Sequence, residues 1–330
     1  MTTAATTPPT ISVVIPSYRR LGRIPRLVSA YLDQGAEQVV VVLDGPHPGW
    51  EGVLGAGDER IVVTELPQNV GLALARIAGL RVATGDVVLA VDDDVAPHAG
   101  FVARHREFHR SGGDRVLMGY MPVALPPRRG RDDAPTFVYA RDYEMQAAAW
   151  RAGDSGTILG SLWGGTVSLP RSLYERAEDL KPSVRIEYNE DLDLGLRLQR
   201  LGAAASFDER AQADHHHQRG WKSYLRECTL RGAAIADLET RWGTRPAQLT
   251  PMLVIPPGYS RPLGWVQRRI AGRDRPGALE HALTLTYRTA GAAGRWSVQD
   301  GITRMLRRAL AMRGYRLAGE QARKGSPFAQ

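Results

Sequence analysis

Asp86-Val-Val-Leu-Ala-Val-Asp-Asp-Asp94 is the stretch that decides the fold of this chain. Its run of apolar residues predicts a strand buried on both faces of a parallel sheet. Open α/β sheets bind their ligands at the carboxyl ends of such strands, where Asp92, Asp93 and Asp94 stand. Adjacent carboxylates need a counter-charge, which Mg²⁺ or Mn²⁺ bridging to a phosphorylated ligand would supply. The alternative is a polar turn into a helix, with Asp94 or a neighbour as its cap.

Strands and helices alternate on either side of this stretch. Strands are predicted at 11–15, 38–43, 61–64 and 86–91, and helices at 24–34, 71–83 and 98–110. This alternation predicts right-handed crossovers and an α/β fold with a mostly parallel sheet flanked by helices.

The second half of the chain is less regular. Strands are predicted at 115–123 and 164–170, and helices at 137–151 and 187–201. Residues 246–262 are proline-rich and predict a linker or an ordered crossing loop, and 263–323 predict basic amphipathic helices. We therefore expect a disordered tail at 1–10, an α/β domain at 11–245 and a helical basic extension at 246–330.

Composition limits the class of protein. A hydrophobic content of 43% suits a folded core, and the single cysteine, Cys228, excludes an intramolecular disulfide and suits a reducing cytoplasm. The first residues lack the pattern of a signal peptide, and no apolar run reaches the roughly 20 residues of a membrane span. We expect a soluble, cytoplasmic protein.

The net charge of +8 is concentrated near the C-terminus. The last thirty residues hold one acid, Glu320, against seven basic residues: Arg304, Arg307, Arg308, Arg313, Arg316, Arg323 and Lys324. Without interleaved aromatic residues or a known motif, nucleic acid is not an expected partner. The open alternatives are a solvated surface, core packing, contacts in a homo-oligomer, and docking on an anionic membrane.

Polar residues follow the first two predicted strands. Pro16, Ser17, Tyr18 and Arg19 form a loop whose backbone amides and Arg19 could face a nucleotide or phosphate, although it is neither a dinucleotide fingerprint nor a P-loop. Asp44 could accept hydrogen bonds from a ribose hydroxyl or a base N–H. The alternatives are a polar turn and an Asp-Gly turn.

Two helix starts carry further candidates. Asn69 is predicted to cap the helix at 71–83, Gly71 to let a ligand approach, and Arg76 to reach a phosphate or pair with the aspartates. Glu190 and Asp191 open the helix at 187–201. They either complement its dipole or supply a general base near an acceptor hydroxyl.

Three consecutive histidines close the set. On an extended segment His215 and His217 share a face and His216 opposes it. Neutral imidazoles beside carboxylates suit Mn²⁺, whereas the absence of a cysteine cluster and of a His-Glu-x-x-His helix disfavours a zinc hydrolase. The alternative is a surface histidine cluster.

The order of these motifs resembles the family 2 glycosyltransferases, which have the GT-A fold. The resemblance covers about residues 11–220 and rests on their sequence: Ile15-Pro-Ser-Tyr18, Leu43-Asp-Gly45, Asn69 to Arg76, Asp92-Asp-Asp94, Gly164-Gly-Thr166 and Glu190-Asp-Leu-Asp193. It implies a nucleotide-binding half at 11–110 and an acceptor half at 111–245. It also implies a nucleotide-diphosphate sugar donor, with a UDP-sugar favoured, and Mn²⁺ or Mg²⁺.

The resemblance also implies roles for single residues. Pro16, Ser17, Tyr18 and Asp44 match positions that hold the base and ribose, and Asn69 and Arg76 match the helix beside the nucleotide. Asp92 and Asp94 match the outer acids of an Asp-x-Asp motif, with Asp94 as the metal ligand and Asp93 as a spacer or donor-side residue. Trp163, Gly164 and Gly165 match the strand beside donor sugar and acceptor, and Asp191, beside Glu190, matches the catalytic base. His215 or His217 completes the metal site.

Two departures leave the substrates open. Leu43-Asp-Gly-Pro-His-Pro48 replaces the family's usual Asp-Asp-Gly-Ser, and Leu180 to Ile186 replaces a Gly-Gly-Phe-Asp segment that faces the acceptor. Two other functions compete. A sugar-nucleotide nucleotidyltransferase would show a Gly-rich basic loop after the first strand, and a non-catalytic nucleotide-sugar binding protein would have no use for the base.

Overall fold

The computed structural model describes residues 7–54 and 57–324, which form two compact units. In terms of these residues, the first unit comprises 7–124, 143–186 and 190–216, and the second comprises 125–142, 187–189 and 217–324. Most of the predicted tail at 1–10 lies outside the described residues. Thr10 is held in place, because its N–H and hydroxyl both donate to Asp86, at 2.9 and 2.8 Å. The predicted domain boundary at 245–246 stays a prediction.

The first unit is built on an eight-stranded sheet with the order β3-β2-β1-β4-β7-β6-β8-β5. The strands are β1 Ile11–Ser17, β2 Gln38–Leu43, β3 Ile61–Glu65, β4 Val87–Val91, β5 Val95–Pro97, β6 Arg115–Tyr120, β7 Thr166–Pro170 and β8 Ala204–His215. Strands β1 to β4 pair in parallel, as does β6 with β8, whereas β7 runs antiparallel to β4 and β6. The mostly parallel α/β fold is confirmed.

The pairing register explains why the polar loops meet. Val14 lies between Val40 of β2 and Ala90 of β4, and all three strands run in one direction. They are buried throughout because both faces of a parallel sheet are covered. Their carboxyl ends therefore reach one edge, which places the residues after Ser17, Leu43 and Val91 side by side.

Helices account for most of the remaining chain. In the described part they are α1 Ile24–Asp33, α2 Leu72–Val82, α3 Phe101–His109, α4 Ala134–Ala152, α5 Ser155–Leu159, α6 Arg171–Leu180, α7 Glu190–Arg200, α8 Trp221–Trp242, α9 Thr250–Leu253, α10 Arg261–Ala271, α11 Ala278–Ala292 and α12 Trp296–Lys324. The predicted helical C-terminal region is confirmed. Within the proline-rich segment at 246–262, α9 and the first residues of α10 are helical.

The second unit has its own core, around the stacked rings of Trp221 and Tyr287, whose centroids lie 3.6 Å apart. Helices α8 and α12 pack closely because glycines lie at their crossing. A Cβ atom at Gly232 would overlap the carbonyl oxygen of Ala311, and one at Gly314 would overlap that of Thr229. This crossing therefore requires the absence of side chains at both positions.

We expect Gly232→Ala to lower the free energy of unfolding by about 1–3 kcal/mol, the usual cost of overpacking a closed core. Urea denaturation followed by circular dichroism would measure this loss. Gly301→Ala on α12 is the matched control, because a Cβ there meets nothing within 4 Å. That control should be neutral or stabilising by up to about 1 kcal/mol, since alanine favours a helix over glycine. Equal stabilities of the two variants would contradict the packing explanation.

Candidate active site

The aspartate triplet lies at the carboxyl edge of β4 and is held by polar contacts. Ser17 Oγ donates to Asp93 Oδ2 at 2.8 Å, and Arg20 Nη1 donates to Asp93 Oδ1 at 2.7 Å and to Asp94 Oδ2 at 3.0 Å. Burial raises the pKa of Asp93, and the Arg20 guanidinium opposes this shift. Asp93 is therefore anchored to β1 and is more than a spacer. Strand β5 follows Asp94 directly, so Asp94 does not cap a helix.

Arg20, rather than Arg19, contacts the aspartates. Arg19 has a left-handed backbone with a φ of 58°, and its guanidinium lies 5.0 Å from the centre of the Tyr18 ring. Tyr18 is 44% exposed. Pro16 is paired with Val42 inside β1. Sequence reasoning missed Arg20, although two consecutive arginines after the strand were a signal that either could turn inward.

Asp44 organises the loop before α2. Its carboxylate accepts from Asn69 Nδ2 at 2.7 Å, from Val70 N at 2.7 Å and from Gly71 N at 3.0 Å. The prediction that Asn69 caps α2 is wrong, because its side-chain amide donates to Asp44 and the residue before the helix is Gly71. Gly71 has a φ of 90°, which favours glycine. Asp44 thus fixes the loop and keeps a lone pair for a further donor.

Arg76 connects the aspartate edge to the start of α7. Its buried guanidinium donates to Asp92 Oδ1 at 2.7 Å and to the carbonyl oxygen of Gly164 at 3.1 Å, and lies 3.5 Å from Glu190 Oε1. The hypothesis that Arg76 pairs with the aspartates is therefore correct for Asp92. The Arg76 guanidinium therefore joins Asp92, at the carboxyl edge of β4, to Glu190 of the predicted catalytic pair.

The glycines before β7 make room for this arrangement. A Cβ at Gly164 would lie 2.7 Å from Arg76 Nη1, and one at Gly165 would lie 2.6 Å from Met121 Sδ and 3.0 Å from Asp92 Oδ2. Glycine at both positions lets Arg76, Met121 and Asp92 keep these places without moving their side chains. Trp163, the preceding residue, packs its ring against Tyr143 at a centroid distance of 5.3 Å.

Glu190 and Asp191 begin α7 as a pair of largely buried carboxyls. Asp191 Oδ2 accepts from Gly164 N at 3.0 Å, and Oδ1 accepts from Leu192 N at 2.8 Å. Burial raises the pKa of both groups, that of Glu190 to about 8, and repulsion from Asp191 adds to the shift of Glu190. Arg76 opposes both shifts. This pairing of acids is the kind of environment that prepares a carboxyl for proton transfer.

We expect the melting temperature of a Glu190→Gln variant to rise relative to that of the native protein as pH rises. The pKa of Glu190 is raised by folding, with Asp191, Arg76 and Asp92 facing it. The favourable contribution of Glu190 to the free energy of unfolding is therefore complete below its ordinary pKa of 4.5, and it is lost as pH approaches about 8. Melting temperatures of both proteins between these limits would measure the difference. A difference in melting temperature between Glu190→Gln and the native protein that stays constant over this pH range would contradict the shift.

Histidines reach the triplet because β8 ends beside it. Strand β8 pairs antiparallel with β5, which places His215 opposite Val95, the residue after Asp94. His215 Nε2 lies 3.2 Å from Asp94 Oδ1, and the His216 N–H donates to the carbonyl oxygen of Asp94 at 2.8 Å. Asp94, His215 and His217 are all buried. A carboxylate and two imidazoles form a donor set that fits Mn²⁺.

Comparisons with known proteins agree with this architecture. The family model "Glycosyl transferase family 2" matches residues 12–169. An N-acetylglucosaminyltransferase of Mesorhizobium japonicum is 35% identical over 97 residues, which are 26% of this chain and 22% of that protein. The chain thus spans well under half the length of this curated relative.

Two solved structures share the fold at low sequence identity. Mannosyltransferase PcManGT from Pyrobaculum calidifontis, in complex with GDP-Man and Mn²⁺, superposes with a TM-score of 0.57 at 16% identity, over 94% of this chain and 88% of that one. GalNAc-T7 with UDP, GalNAc and Mn²⁺ superposes with a TM-score of 0.50 at 13% identity, over 75% and 53% of the two chains. Residues 12–169, with the motifs along β1, β2 and β4, are thus similar to the family 2 glycosyltransferases, and the two solved structures share the fold of this chain.

Proposed function

We propose that this protein transfers a sugar, with inversion, from a nucleotide-diphosphate sugar to an acceptor nucleophile, assisted by a divalent metal and with Asp191 as general base. The observation that carries the proposal is the Arg76 bridge. It joins Asp92, at the edge where the donor would bind, to Glu190, beside the proposed base. Donor and base sides of a transfer reaction would thereby be fixed relative to each other.

The donor site follows from the sheet edge. We assign the base and ribose to Pro16, Ser17, Tyr18, Arg19 and Asp44. The remaining donor contacts are assigned to Asn69, Arg76, Asp92, Asp93, Gly164 and Gly165. Gly164 and Gly165 lie beside Arg76 and Asp92, which are also assigned to the donor. The exposed ring of Tyr18 offers a surface on which a nucleobase could stack.

Asp94, His215 and His217 are the proposed metal ligands. When bound, Mn²⁺ or Mg²⁺ would neutralise charge on the diphosphate leaving group. The two imidazoles favour Mn²⁺, because Mg²⁺ prefers oxygen ligands and water. The two solved neighbours described above contain Mn²⁺ with a nucleotide or nucleotide sugar, which supports the assignment.

Asp191 is the proposed proton acceptor. Its two oxygens each hold one backbone N–H and retain lone pairs for an acceptor hydroxyl. Burial raises the pKa of Asp191, which makes it a stronger base than an exposed aspartate, and Arg76 favours its ionised form. Glu190 and Trp163 are assigned to the acceptor side.

A thermal-shift screen of nucleotide sugars, with and without Mn²⁺, would test the donor class. A ligand of the folded state raises the melting temperature with concentration. We expect UDP-sugars to stabilise the protein most and only with the metal, and GDP-sugars are the second class to include. Absence of a metal-dependent shift with any nucleotide sugar would contradict the proposal.

Slow metal-dependent hydrolysis of the stabilising donor would separate an enzyme from a non-catalytic nucleotide-sugar binding protein. A nucleotidyltransferase would instead form a nucleotide sugar from a nucleoside triphosphate and a sugar phosphate. The loop after β1 lacks the glycines that such an enzyme would use for a triphosphate. We further propose a cytoplasmic location, supported by the single cysteine, and leave the acceptor and oligomeric state to experiment.

A further inference from the structure

The basic C-terminal helix uses several of its arginines inside the second unit. Arg313 is buried and donates to Glu280 Oε2 at 2.6 Å and to the carbonyl oxygen of Ile270 at 3.0 Å. Arg307 pairs with Asp142, and Arg316 pairs with Asp274 at 2.7 Å. These arginines stabilise the packing of α12, so the charge of the last thirty residues does not by itself define a docking surface.

A different basic surface stands on α10. Trp265 is 52% exposed. Arg261 lies four residues before it, and Arg268 and Arg269 lie three and four residues after it. Residues at this spacing share one side of a helix. We call these four residues the α10 basic face. The opposite side of α10 is anchored, because Gln267 and Ile270 are buried in the second unit.

Exposed apolar residues flank the α10 basic face at its N-terminal end. Leu263 is 44% exposed and Val254 is 47% exposed. The loop that carries Val254 lies against the helix, since a Cβ at Gly264 would be 3.7 Å from Ile255 Cγ2. Arg273 and Arg275, also exposed, follow the helix.

The five arginines of this region, Arg261, Arg268, Arg269, Arg273 and Arg275, have no ion pair within the part of the chain that the structure describes. The only acid between residues 254 and 275, Asp274, pairs with Arg316. The surface therefore keeps its positive charge.

None of the helices within 7–54 and 57–324 has the length and apolar composition needed to span a membrane.

We propose that the α10 basic face docks the protein on the surface of an anionic lipid bilayer. Tryptophan favours the interface between headgroups and acyl chains, and arginines around it would meet anionic headgroups. A second copy of the chain fits less well, because a symmetric contact would bring the same unpaired arginines together. The proposal goes beyond the proposed function and does not depend on it.

Vesicle sedimentation with the whole 330-residue chain tests this docking. We expect binding at low salt to phosphatidylcholine vesicles containing about one third phosphatidylglycerol, and little binding to pure phosphatidylcholine. High salt should release the protein, since it screens exposed charges. Trp265→Ser and the double variant Arg268→Glu, Arg269→Glu should each lower the affinity at least about tenfold.

Leu285→Ser is the matched control, because Leu285 is an exposed apolar residue of α11, 64% exposed, outside the α10 basic face. It should bind anionic vesicles as the native protein does, and unchanged melting temperatures would show that all variants fold. Two results of the vesicle assay would overturn the proposal: no binding to anionic vesicles at low salt, or equal binding by the native protein and both α10 variants. Dimers in light scattering that Trp265→Ser dissociates would also overturn it, by assigning the face to a second copy.

Discussion

Replacing Asp191 with asparagine is expected to lower turnover by about 10²–10⁴-fold, the usual contribution of a general base. Asparagine cannot accept the acceptor's proton, whereas the hydrogen bonds of Asp44 and Asp92, two of the proposed donor-side residues, are made with residues other than Asp191. Donor affinity should therefore change little. Turnover can be measured as hydrolysis of the donor found by thermal shift, with water as the acceptor, and as transfer once an acceptor is known.

The same substitution also has a structural cost that must be measured. Asp191 accepts from the N–H groups of Gly164 and Leu192, and an asparagine side chain has one oxygen for these two donors. Leaving a buried donor unsatisfied costs about 1–3 kcal/mol, so the melting temperature should fall. Assays belong well below that temperature. Asp179→Asn, at an exposed position of α6, is the control that should keep turnover and stability. Near-native turnover by Asp191→Asn would rule out this residue as the base.

Replacing Asp94 with alanine is expected to remove the metal dependence of nucleotide binding. Asp94 is the only carboxylate among the proposed metal ligands, and its Oδ1 lies 3.2 Å from His215 Nε2. Loss of a partner that merely supports a ligand typically costs 10–100-fold in metal affinity, so loss of the ligand itself should cost more than about 100-fold. Calorimetric titration of the nucleotide with and without Mn²⁺ would measure the difference.

The Asp94→Ala experiment has a matched control and a result that would contradict the prediction. Asp179→Ala removes a carboxylate from an exposed site and should preserve Mn²⁺-dependent binding. Arg20 retains Asp93 as a partner after Asp94 is removed, so the loop after β1 should keep its position. If Asp94→Ala binds nucleotide with undiminished Mn²⁺ dependence, the metal is held elsewhere and the assignment of His215 and His217 fails with it.

Much of the sheet was predictable because local patterns and topology agree. The continuous apolar runs of β1, β2 and β4 suit strands buried on both faces, and intervening helices require parallel connections. From this it followed that Asp44 and Asp92 would meet at one edge. The contacts that single residues make at this edge were not predictable from local patterns. Asn69 has the sequence position of a helix cap, yet tertiary contact with Asp44 takes its side chain.

Contacts between distant segments were beyond the reach of sequence patterns. Arg19 and Arg20 are chemically equivalent, yet Arg19 takes a left-handed backbone and Arg20 contacts Asp93 and Asp94. The basic residues of α12 suggested a surface, but a partner from another helix, Glu280, holds Arg313 in the interior. The exposed arginines around Trp265 could be recognised only once the buried side of α10 was known.

The sequence by itself determined the α/β fold, the resemblance to the family 2 glycosyltransferases, and the edge at which the candidate site residues gather, because periodicity and strand order act locally. The tertiary structure decided how those residues are connected. Arg76 joins Asp92 to Glu190, and the antiparallel pairing of β5 with β8 brings His215 to Asp94. Arg76 and Glu190 lie more than a hundred positions apart in the sequence, and so do Asp94 and His215. No short-range pattern encodes such contacts, because they arise from packing and from the need of buried charges for partners.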